Sequence, residues 1–338
     1  MDTPTHTTPP PTENGVSPGT GPLPADIPRY LLQFLLSCQG VCHEYVLLSA
    51  LVHIGRDMSL PEQDAAQWHQ ALRTHMEAVN VNLEPLQYRV VLVNHGLGKR
   101  AATATLPRTL GLDLGLDLGP LPDSGRFYVY VNTHSSTETR LATTLTPQQV
   151  EFTKWAVAQC CEQGGAVQTL SPQVAQASRQ LRQDLSGSGS GTGTEWSLYA
   201  SYSVGSTHLA QYPGLSAIEV EQLLAQLCER KWFARTADGR VGLDLRAATE
   251  LDELLRETYG LPVCAVCSQV VLHGAACGNL AAHTPEEEEE DEGEGEGGES
   301  TGGMTMWHVD CYQHYVAHVS KECPKCSASI VDNAVYVL

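Results

Sequence analysis

Near its carboxyl end the chain reads Cys264-Ala-Val-Cys267-x9-Cys277 and then, after an acidic interruption, His308-Val-Asp-Cys311-x11-Cys323-Pro-Lys-Cys326. Thiolates and imidazoles are ligands that Zn²⁺ prefers, and a Cys-x2-Cys turn places two thiolates on one ion with little backbone strain. Three pairs with this spacing are present, at 264/267, 308/311 and 323/326. The spacing therefore predicts a domain with two zinc ions. Unpaired structural cysteines are a poor alternative, because the same spacing recurs.

Two tetrahedral sites need eight ligands. Seven follow directly from the pattern: Cys264, Cys267, Cys277, His308, Cys311, Cys323 and Cys326. The eighth is open. His283 is our preferred candidate, His273 competes with it, and a third possibility leaves the position to water or to a residue near Gly303. With His283, the sites are Cys264/Cys267/His308/Cys311 and Cys277/His283/Cys323/Cys326, which is the cross-braced arrangement of a RING-type zinc domain.

A domain this small cannot bury enough apolar surface to fold alone. Each structural zinc site would supply on the order of 10 kcal/mol. The acidic insert that interrupts the domain is tolerable, because the cost of closing a loop grows slowly with its length. Five other cysteines fall inside predicted helices, where we expect small buried hydrophobic residues and no nucleophile: Cys38, Cys42, Cys160, Cys161 and Cys228.

The chain of 338 residues has a formal net charge of −19, and ten of its acidic residues lie between Glu286 and Glu299. Nothing resembles the basic patch that phosphate binding demands, so direct DNA binding by this chain alone is not expected. No stretch approaches the roughly 20 apolar residues of a membrane span. The first 25 residues lack the basic and apolar regions of a signal peptide and read as a disordered tail.

Upstream of the zinc domain, one order of elements occurs twice. Apolar spacing predicts helices at 26–39, 43–54 and 59–80 before strands at 88–93 and 127–131. It then predicts helices at 146–161, 171–185 and 216–230 before a hairpin at 232–243, with a last helix at 246–258. Capping boxes at Ser59–Glu62 and Ser216–Glu219 begin two of these helices. Three helices followed by a hairpin is the order of a winged-helix domain.

The fold class is therefore α+β, with tandem winged-helix domains followed by a cross-brace RING-type zinc domain. The predicted domains are a disordered tail at 1–25, a winged helix A at 26–145, a winged helix B at 146–260 and the zinc domain at 261–330. Winged helix A contains a long disordered wing loop at 96–125, and winged helix B contains a flexible linker at 186–195. The zinc domain contains a disordered acidic insert at 284–303.

Several stretches of this chain resemble one known family. They are the segment from Leu224 to Phe233, the segment Leu254–Tyr259 leading into Cys264-Ala-Val-Cys267, the x9 gap to Cys277, and His308-Val-Asp-Cys311. The chain is similar to the RING-bearing non-structural element one subunits of the five–six structural-maintenance-of-chromosomes (SMC) complex. The resemblance covers roughly residues 28–330.

This resemblance implies partners and a cellular role. In the family, the winged helices bind a melanoma-antigen-homology (MAGE) subunit, and the pair joins a kleisin subunit that bridges the heads of the SMC heterodimer. The complex acts in DNA repair and recombination, which implies a nuclear, chromosome-associated protein. The family is credited with ubiquitin-ligase activity, which would involve a ubiquitin-conjugating enzyme as a further partner.

A RING does no covalent chemistry of its own, so the resemblance implies docking residues rather than catalytic ones. An apolar residue in the first ligand pair, one on the central helix and a proline in the last pair usually contact the conjugating enzyme, and Val266, Tyr315 and Pro324 stand at those places. Such catalysis works by positioning. The alternative is a non-catalytic assembly module whose zinc domain stabilises the complex. A DNA-binding regulator is a third hypothesis, disfavoured by the acidic residues on the candidate recognition helices.

Overall fold

The computed structural model describes residues 26–61, 64–96, 98–99, 102, 124–133, 145–164, 202–235, 239–279, 282–283 and 305–337. The predicted tail at 1–25, the helix at 171–185, the linker at 186–195, the acidic insert at 284–303 and most of the wing loop at 96–125 lie outside these residues. Within the described part of the chain, no helix combines the length and the apolar character that a membrane crossing requires.

The first unit contains helices α1 (Ile27–Ser37), α2 (Glu44–Asp57) and α3 (Ala65–Leu83) and strands β1 (Val41–His43), β2 (Tyr88–Asn94) and β3 (Arg126–Asn132). The strands form an antiparallel sheet in the order β1-β3-β2, in which Val129 pairs with both Val41 and Val91. The predicted strands at 88–93 and 127–131 are confirmed. The short β1 was not predicted.

The core of this unit follows from helical periodicity. Trp68, Leu72, Met76 and Val79 recur at intervals of three or four residues in α3, and all four are buried. They pack with apolar residues of α1 and α2 and with Tyr128 of the sheet. Burial of this stripe holds the three helices against the sheet.

The predicted start of the third helix at Ser59 is wrong. Ser59 has a φ of +57° and lies in the turn after α2, where the Leu60 N–H donates to the Gly55 carbonyl at 2.8 Å. Asp64 caps α3 instead, in a reciprocal capping box with Gln67. Gly55 lies inside α2, which continues beyond the predicted end at residue 54. A Cβ at Gly55 would come within 2.5 Å of the Trp68 ring, so glycine there permits close helix packing.

The second unit contains helices α4 (Pro147–Gly164), α5 (Ser206–Leu209), α6 (Ala217–Glu229), α7 (Leu245–Glu250) and α8 (Asp252–Glu257) and strands β4 (Ser203–Gly205), β5 (Phe233–Arg235) and β6 (Arg240–Leu243). The sheet order is β4-β6-β5, with a short edge strand followed by a hairpin, as in the first unit. The capping box of Ser216 and Glu219 is confirmed. Both units are compatible with the winged-helix interpretation.

The predicted single helix at 246–258 is wrong, because α7 and α8 are separate helices that meet at Leu251. Leu251 has a φ of −104° and its side chain is only 1% exposed. Ala247 and Leu255 are also fully buried in the same core. The chain changes direction at Leu251, which keeps all three side chains in the core. No glycine or proline marks this break in the sequence.

The third unit contains strands β7 (Gly274–Ala276), β8 (Met306–Trp307) and β9 (Val335–Val337) and helices α9 (Val309–His318) and α10 (Ile330–Asn333). The strands are antiparallel in the order β8-β7-β9, so the sheet of this unit continues past residue 330. Trp307 is fully buried at the centre of a core that also contains most of the clustered cysteines. Its ring lies 6.0 Å from that of Tyr312 and 5.7 Å from that of Tyr315, which anchors α9 on the sheet.

Candidate metal centre

The first group of ligands joins the beginning of the third unit to α9. Cys264 and Cys267 lie in the turn before β7, His308 directly precedes α9, and Cys311 lies in its first turn. One ligand atom from each of the four residues lies within 4.8 Å of every other. The Cys267 Sγ and the His308 Nδ1 are 3.3 Å apart. All four residues are buried or half-buried, so the group encloses a space shielded from solvent.

The second group joins the end of β7 to the second Cys-x2-Cys turn. It consists of Cys277, His283, Cys323 and Cys326, whose ligand atoms also all lie within 4.8 Å of one another. The sulfurs of Cys277 and Cys326 are 3.6 Å apart, and the Cys323 Sγ lies 3.6 Å from the His283 Nε2. His283 is only 5% exposed. The first ligand pair therefore shares a site with His308 and Cys311, and Cys277 shares the other site with the last pair. This alternation is what the cross-brace interpretation predicts.

These distances fit tetrahedral Zn²⁺. With Zn–S near 2.3 Å and Zn–N near 2.0 Å, the edges of a tetrahedron are about 3.8 Å between two sulfurs and about 3.5 Å between sulfur and nitrogen. The observed separations of 3.3, 3.6 and 3.6 Å lie within a few tenths of an ångström of these values. Three thiolates and one imidazole per group match closed structural sites. The two groups confirm the prediction of two zinc ions.

The orientation of the His308 ring also suits coordination. Its Nδ1 faces Cys267, while its Nε2 lies 3.2 Å from the Val270 carbonyl oxygen. With Nδ1 toward the metal, the Nε2–H donates to that carbonyl, which fixes the tautomer and the ring plane. His308 is 3% exposed, so this backbone acceptor is held away from water. Sequence reasoning did not find the role of Val270, because a backbone carbonyl leaves no residue-type signal.

His273 belongs to neither group among the described residues. The region near Gly303 lies outside those residues. The geometry therefore favours His283 over His273 as the eighth ligand. Five cysteines stand outside both groups, as expected: Cys160 and Cys161 in α4, Cys228 in α6, Cys38 just beyond α1, and Cys42, which lies in β1 and not in the predicted helix.

The two Cys-x2-Cys turns have the same backbone hydrogen bonds. The Cys264 N–H donates to the Gln269 carbonyl and the Cys323 N–H to the Ala328 carbonyl, both at 2.8 Å. In each turn, the residue after the second cysteine adopts a left-handed conformation: Ser268 has a φ of +58° and Ser327 a φ of +55°. The amide of each serine donates to the carbonyl of the first cysteine at 2.9 Å. The two turns are local copies of one metal-binding structure.

The first group holds protons that Zn²⁺ must displace. Hydrogen bonds with Cys267 and Cys311 lower the pKa of Cys264, and hydrogen bonds with Cys264 and Cys267 raise the pKa of Cys311. Burial disfavours a charged imidazole, but hydrogen bonds with Cys264 and Cys267 outweigh it and raise the pKa of His308 to about 10. Metal binding to such a group releases protons, so the affinity for metal falls as the pH falls.

The three residues predicted to dock a conjugating enzyme lie on the outer parts of this framework. Val266, in the first turn, is 41% exposed, and Pro324, in the second turn, is also exposed. Tyr315 of α9 is half-buried against Trp307, and its hydroxyl donates to the Glu322 carbonyl at 3.5 Å. The two zinc groups hold the elements that carry these side chains. Their docking role stays a prediction.

Comparison with known proteins agrees with this geometry. A family model described as the Nse1 non-SMC component of the SMC5-6 complex matches residues 28–251. A RING-like domain model matches residues 264–326. Non-structural maintenance of chromosomes element 1 of Saccharomyces cerevisiae is 37% identical over 331 residues, which cover 92% of this chain and 95% of the yeast protein.

A solved structure described as an Nse1-Nse3-Nse4 complex also resembles this chain. It superposes with a TM-score of 0.54, covering 90% of this chain and 96% of the matched chain. The sequence identity is 17%, so this likeness concerns the fold. Together with the sequence matches, it places the helix-rich units and the zinc unit within one known architecture.

Proposed function

Because the chain belongs to the Nse1 family of SMC5-6 components, we propose that it is a ubiquitin-ligase subunit that acts within that complex beside a MAGE-homology subunit and a kleisin. The solved relative is itself described as part of an Nse1-Nse3-Nse4 complex. On this proposal, residues 26–145 and 146–260 are the winged-helix domains that contact these subunits. Residues 261–330 are the RING.

The two zinc groups support the ligase proposal most directly. Each group has four protein ligands, three thiolates and one imidazole, which is the complement of a closed structural site. When bound, the ions supply folding stability. The work in ubiquitin transfer then falls to exposed side chains on the braced framework, namely Val266, Tyr315 and Pro324.

These side chains would act by binding and orientation. Val266 and Pro324 project from the two Cys-x2-Cys turns, and Tyr315 lies on the helix that follows His308 and Cys311. An apolar surface of this kind can hold a charged conjugating enzyme so that its thioester meets the attacking lysine in a productive geometry. Restricting the thioester in this way lowers the entropic part of the barrier.

The test compares two valines of nearly equal exposure in the zinc unit, which continues past residue 330. Val266 is 41% exposed and Val331 is 40% exposed. In the complex with the MAGE-homology subunit, Val266→Arg should lower ubiquitin discharge from the conjugating enzyme about tenfold, as expected for a central contact residue. Val331→Arg should leave discharge unchanged. Equal activity of the wild type and Val266→Arg, with both zinc ions retained, would remove the basis of the ligase proposal.

A second candidate function is a non-catalytic assembly module. Ser327 stands directly after the last ligand, where many active RINGs carry an arginine. The zinc unit also contacts the first unit, since the Val309 N–H donates to the Gly96 carbonyl at 3.0 Å. This alternative predicts that Cys264→Ala abolishes assembly with the MAGE-homology and kleisin subunits while Val266→Arg changes nothing.

The cellular role follows from membership of the family. We propose a nuclear, chromosome-associated protein that acts in DNA repair and recombination through its complex with the SMC heterodimer. Direct DNA binding by this chain alone is not part of the proposal, because Glu219, Glu221 and Glu229 give α6 an acidic character. If the isolated chain shifted the electrophoretic mobility of duplex DNA in a salt-sensitive way, the expected lack of direct DNA binding would be contradicted.

A further inference from the structure

The two ends of the segment between β2 and β3 meet at the zinc unit. The His95 N–H donates to the Gly125 carbonyl at 2.7 Å, which closes the base of this segment. The backbone on both sides of that bond then lies against the first turn of α9. One point of contact is Asp310, the second of the two residues between the proposed zinc ligands His308 and Cys311.

The Asp310 carboxylate fits closely between the two ends of the segment. Its Oδ1 accepts the Lys99 backbone N–H at 3.2 Å. A Cβ at Gly98 would lie 3.0 Å from Oδ1, and a Cβ at Gly125 would lie 2.8 Å from Oδ2. Side chains at these two positions would therefore crowd the carboxylate and force it to shift. The glycines let the backbone approach Asp310 from both sides.

A second contact lies beside the first. The Val309 N–H, at the start of α9, donates to the Gly96 carbonyl at 3.0 Å. This amide is among the first of the helix and has no partner within the helix, so the first unit satisfies it. A Cβ at Gly96 would come within 2.4 Å of the His273 carbonyl oxygen. The segment thus touches the zinc unit both at α9 and just before β7.

We propose that Asp310 is a positioning residue that fixes α9, and with it the docking residue Tyr315, on the first winged-helix unit. The zinc unit then has one orientation relative to the subunits bound by the winged helices. The conjugating enzyme is presented to lysines of the complex in a defined direction. This inference rests on the proposed function, but the contact itself can be tested without any activity.

The first test compares two glycines in the full chain. Gly98 has a φ of +84° and lies against Asp310 and Val309, whereas Gly239 has a φ of +80° and, among the residues that the structure describes, no atom within 4 Å of its Cβ position. Alanine at either site carries the same backbone strain, so the difference between the variants reports the contact. Gly98→Ala should speed amide exchange at Val309 about tenfold, with little change at Ser327 in the second turn. Gly239→Ala should change neither.

The second test separates positioning from simple support of the fold. In the complex with the MAGE-homology subunit, Asp310→Ala should leave discharge of the charged conjugating enzyme to free lysine unchanged. Transfer to lysines of the complex should fall about fivefold, because orientation matters only for the latter. Asp310→Asn keeps an oxygen that can accept the Lys99 N–H and should restore most of that transfer.

Other results would overturn the inference. Equal exchange at Val309 in Gly98→Ala and Gly239→Ala would show that the contact does not hold α9. Equal losses in both transfer reactions for Asp310→Ala would show a role in folding rather than in positioning. If neither reaction occurs even in the wild type while the exchange result holds, the proposed ligase function fails and the contact stands as a structural one.

Discussion

Removal of the Arg246 guanidinium should destabilise the second unit strongly. Arg246 Nε lies 2.5 Å from Glu250 Oε1, and the Glu250 side chain is only 2% exposed. The guanidinium also donates to the Gln39 carbonyl of the first unit at 3.0 Å and lies over the Trp232 ring at 5.4 Å. Arg246→Met keeps most of the apolar stem but removes the cation that faces this buried carboxylate.

The expected loss of stability follows from the burial of this ion pair. Removing one partner of a buried ion pair costs about 3–5 kcal/mol. The Arg246 side chain is 18% exposed, so we expect the lower end, about 3 kcal/mol. Arg256 and Asp252 form a pair of the same i,i+4 spacing at 2.6 Å, but their side chains are 44% and 32% exposed. Arg256→Met should therefore cost less than about 1 kcal/mol.

Chemical denaturation, followed by tryptophan fluorescence and by circular dichroism, measures the loss of stability in both variants. Replacing the pair together, as Arg246→Met with Glu250→Leu, should recover about 2 kcal/mol of the loss, because the buried charge that Arg246 faced is removed as well. If Arg246→Met cost no more than Arg256→Met, burial would not control the strength of these pairs. If the double variant were no more stable than Arg246→Met, the loss would lie in the contacts with Gln39 and Trp232 instead.

Two further predictions concern the zinc groups and the first unit. The coordinating atoms bind protons only in the metal-free protein, where the pKa of His308 is raised to about 10. Protons therefore compete with the metal increasingly as the pH falls. Bound zinc after dialysis should therefore decrease from about pH 8 to about pH 5, and constant zinc across this range would contradict the assignment. Asn80 joins α3 to β2 through two hydrogen bonds with the Val90 backbone, at 2.7 and 2.9 Å. Asn80→Ala should cost about 1–3 kcal/mol by denaturation, and an unchanged midpoint would refute that role.

The long amphipathic elements could be predicted because their signals are local. The stripe from Trp68 to Val79 and the capping box of Ser216 identify α3 and α6 without tertiary information. At Ser59 the same reasoning failed, because a serine can also occupy the left-handed position of a turn that ends the preceding helix. Strands of three residues, such as Val41–His43, carry too little pattern to predict.

Seven zinc ligands could be predicted from the sequence. Six lie in pairs separated by two residues, a spacing that fixes local geometry, and Cys277 is the remaining cysteine of the cluster. The eighth could not be decided from spacing, since His273 and His283 are both near Cys277 in sequence. Only the fold separates them, by bringing the His283 Nε2 to 3.6 Å from the Cys323 Sγ. The contact of Asp310 with Gly98 and Gly125 has no sequence signal either. It joins residues more than 180 positions apart, through glycines that look like ordinary loop residues.

The zinc content of the intact protein, measured by native mass spectrometry, tests the central claim most directly. The two groups predict two zinc ions in the wild type and in His273→Ala, and one in His283→Ala. Two ions in His283→Ala would remove His283 from the second site. A wild-type protein that keeps the fold of residues 264–326 after a chelator has removed all metal would contradict the account as a whole.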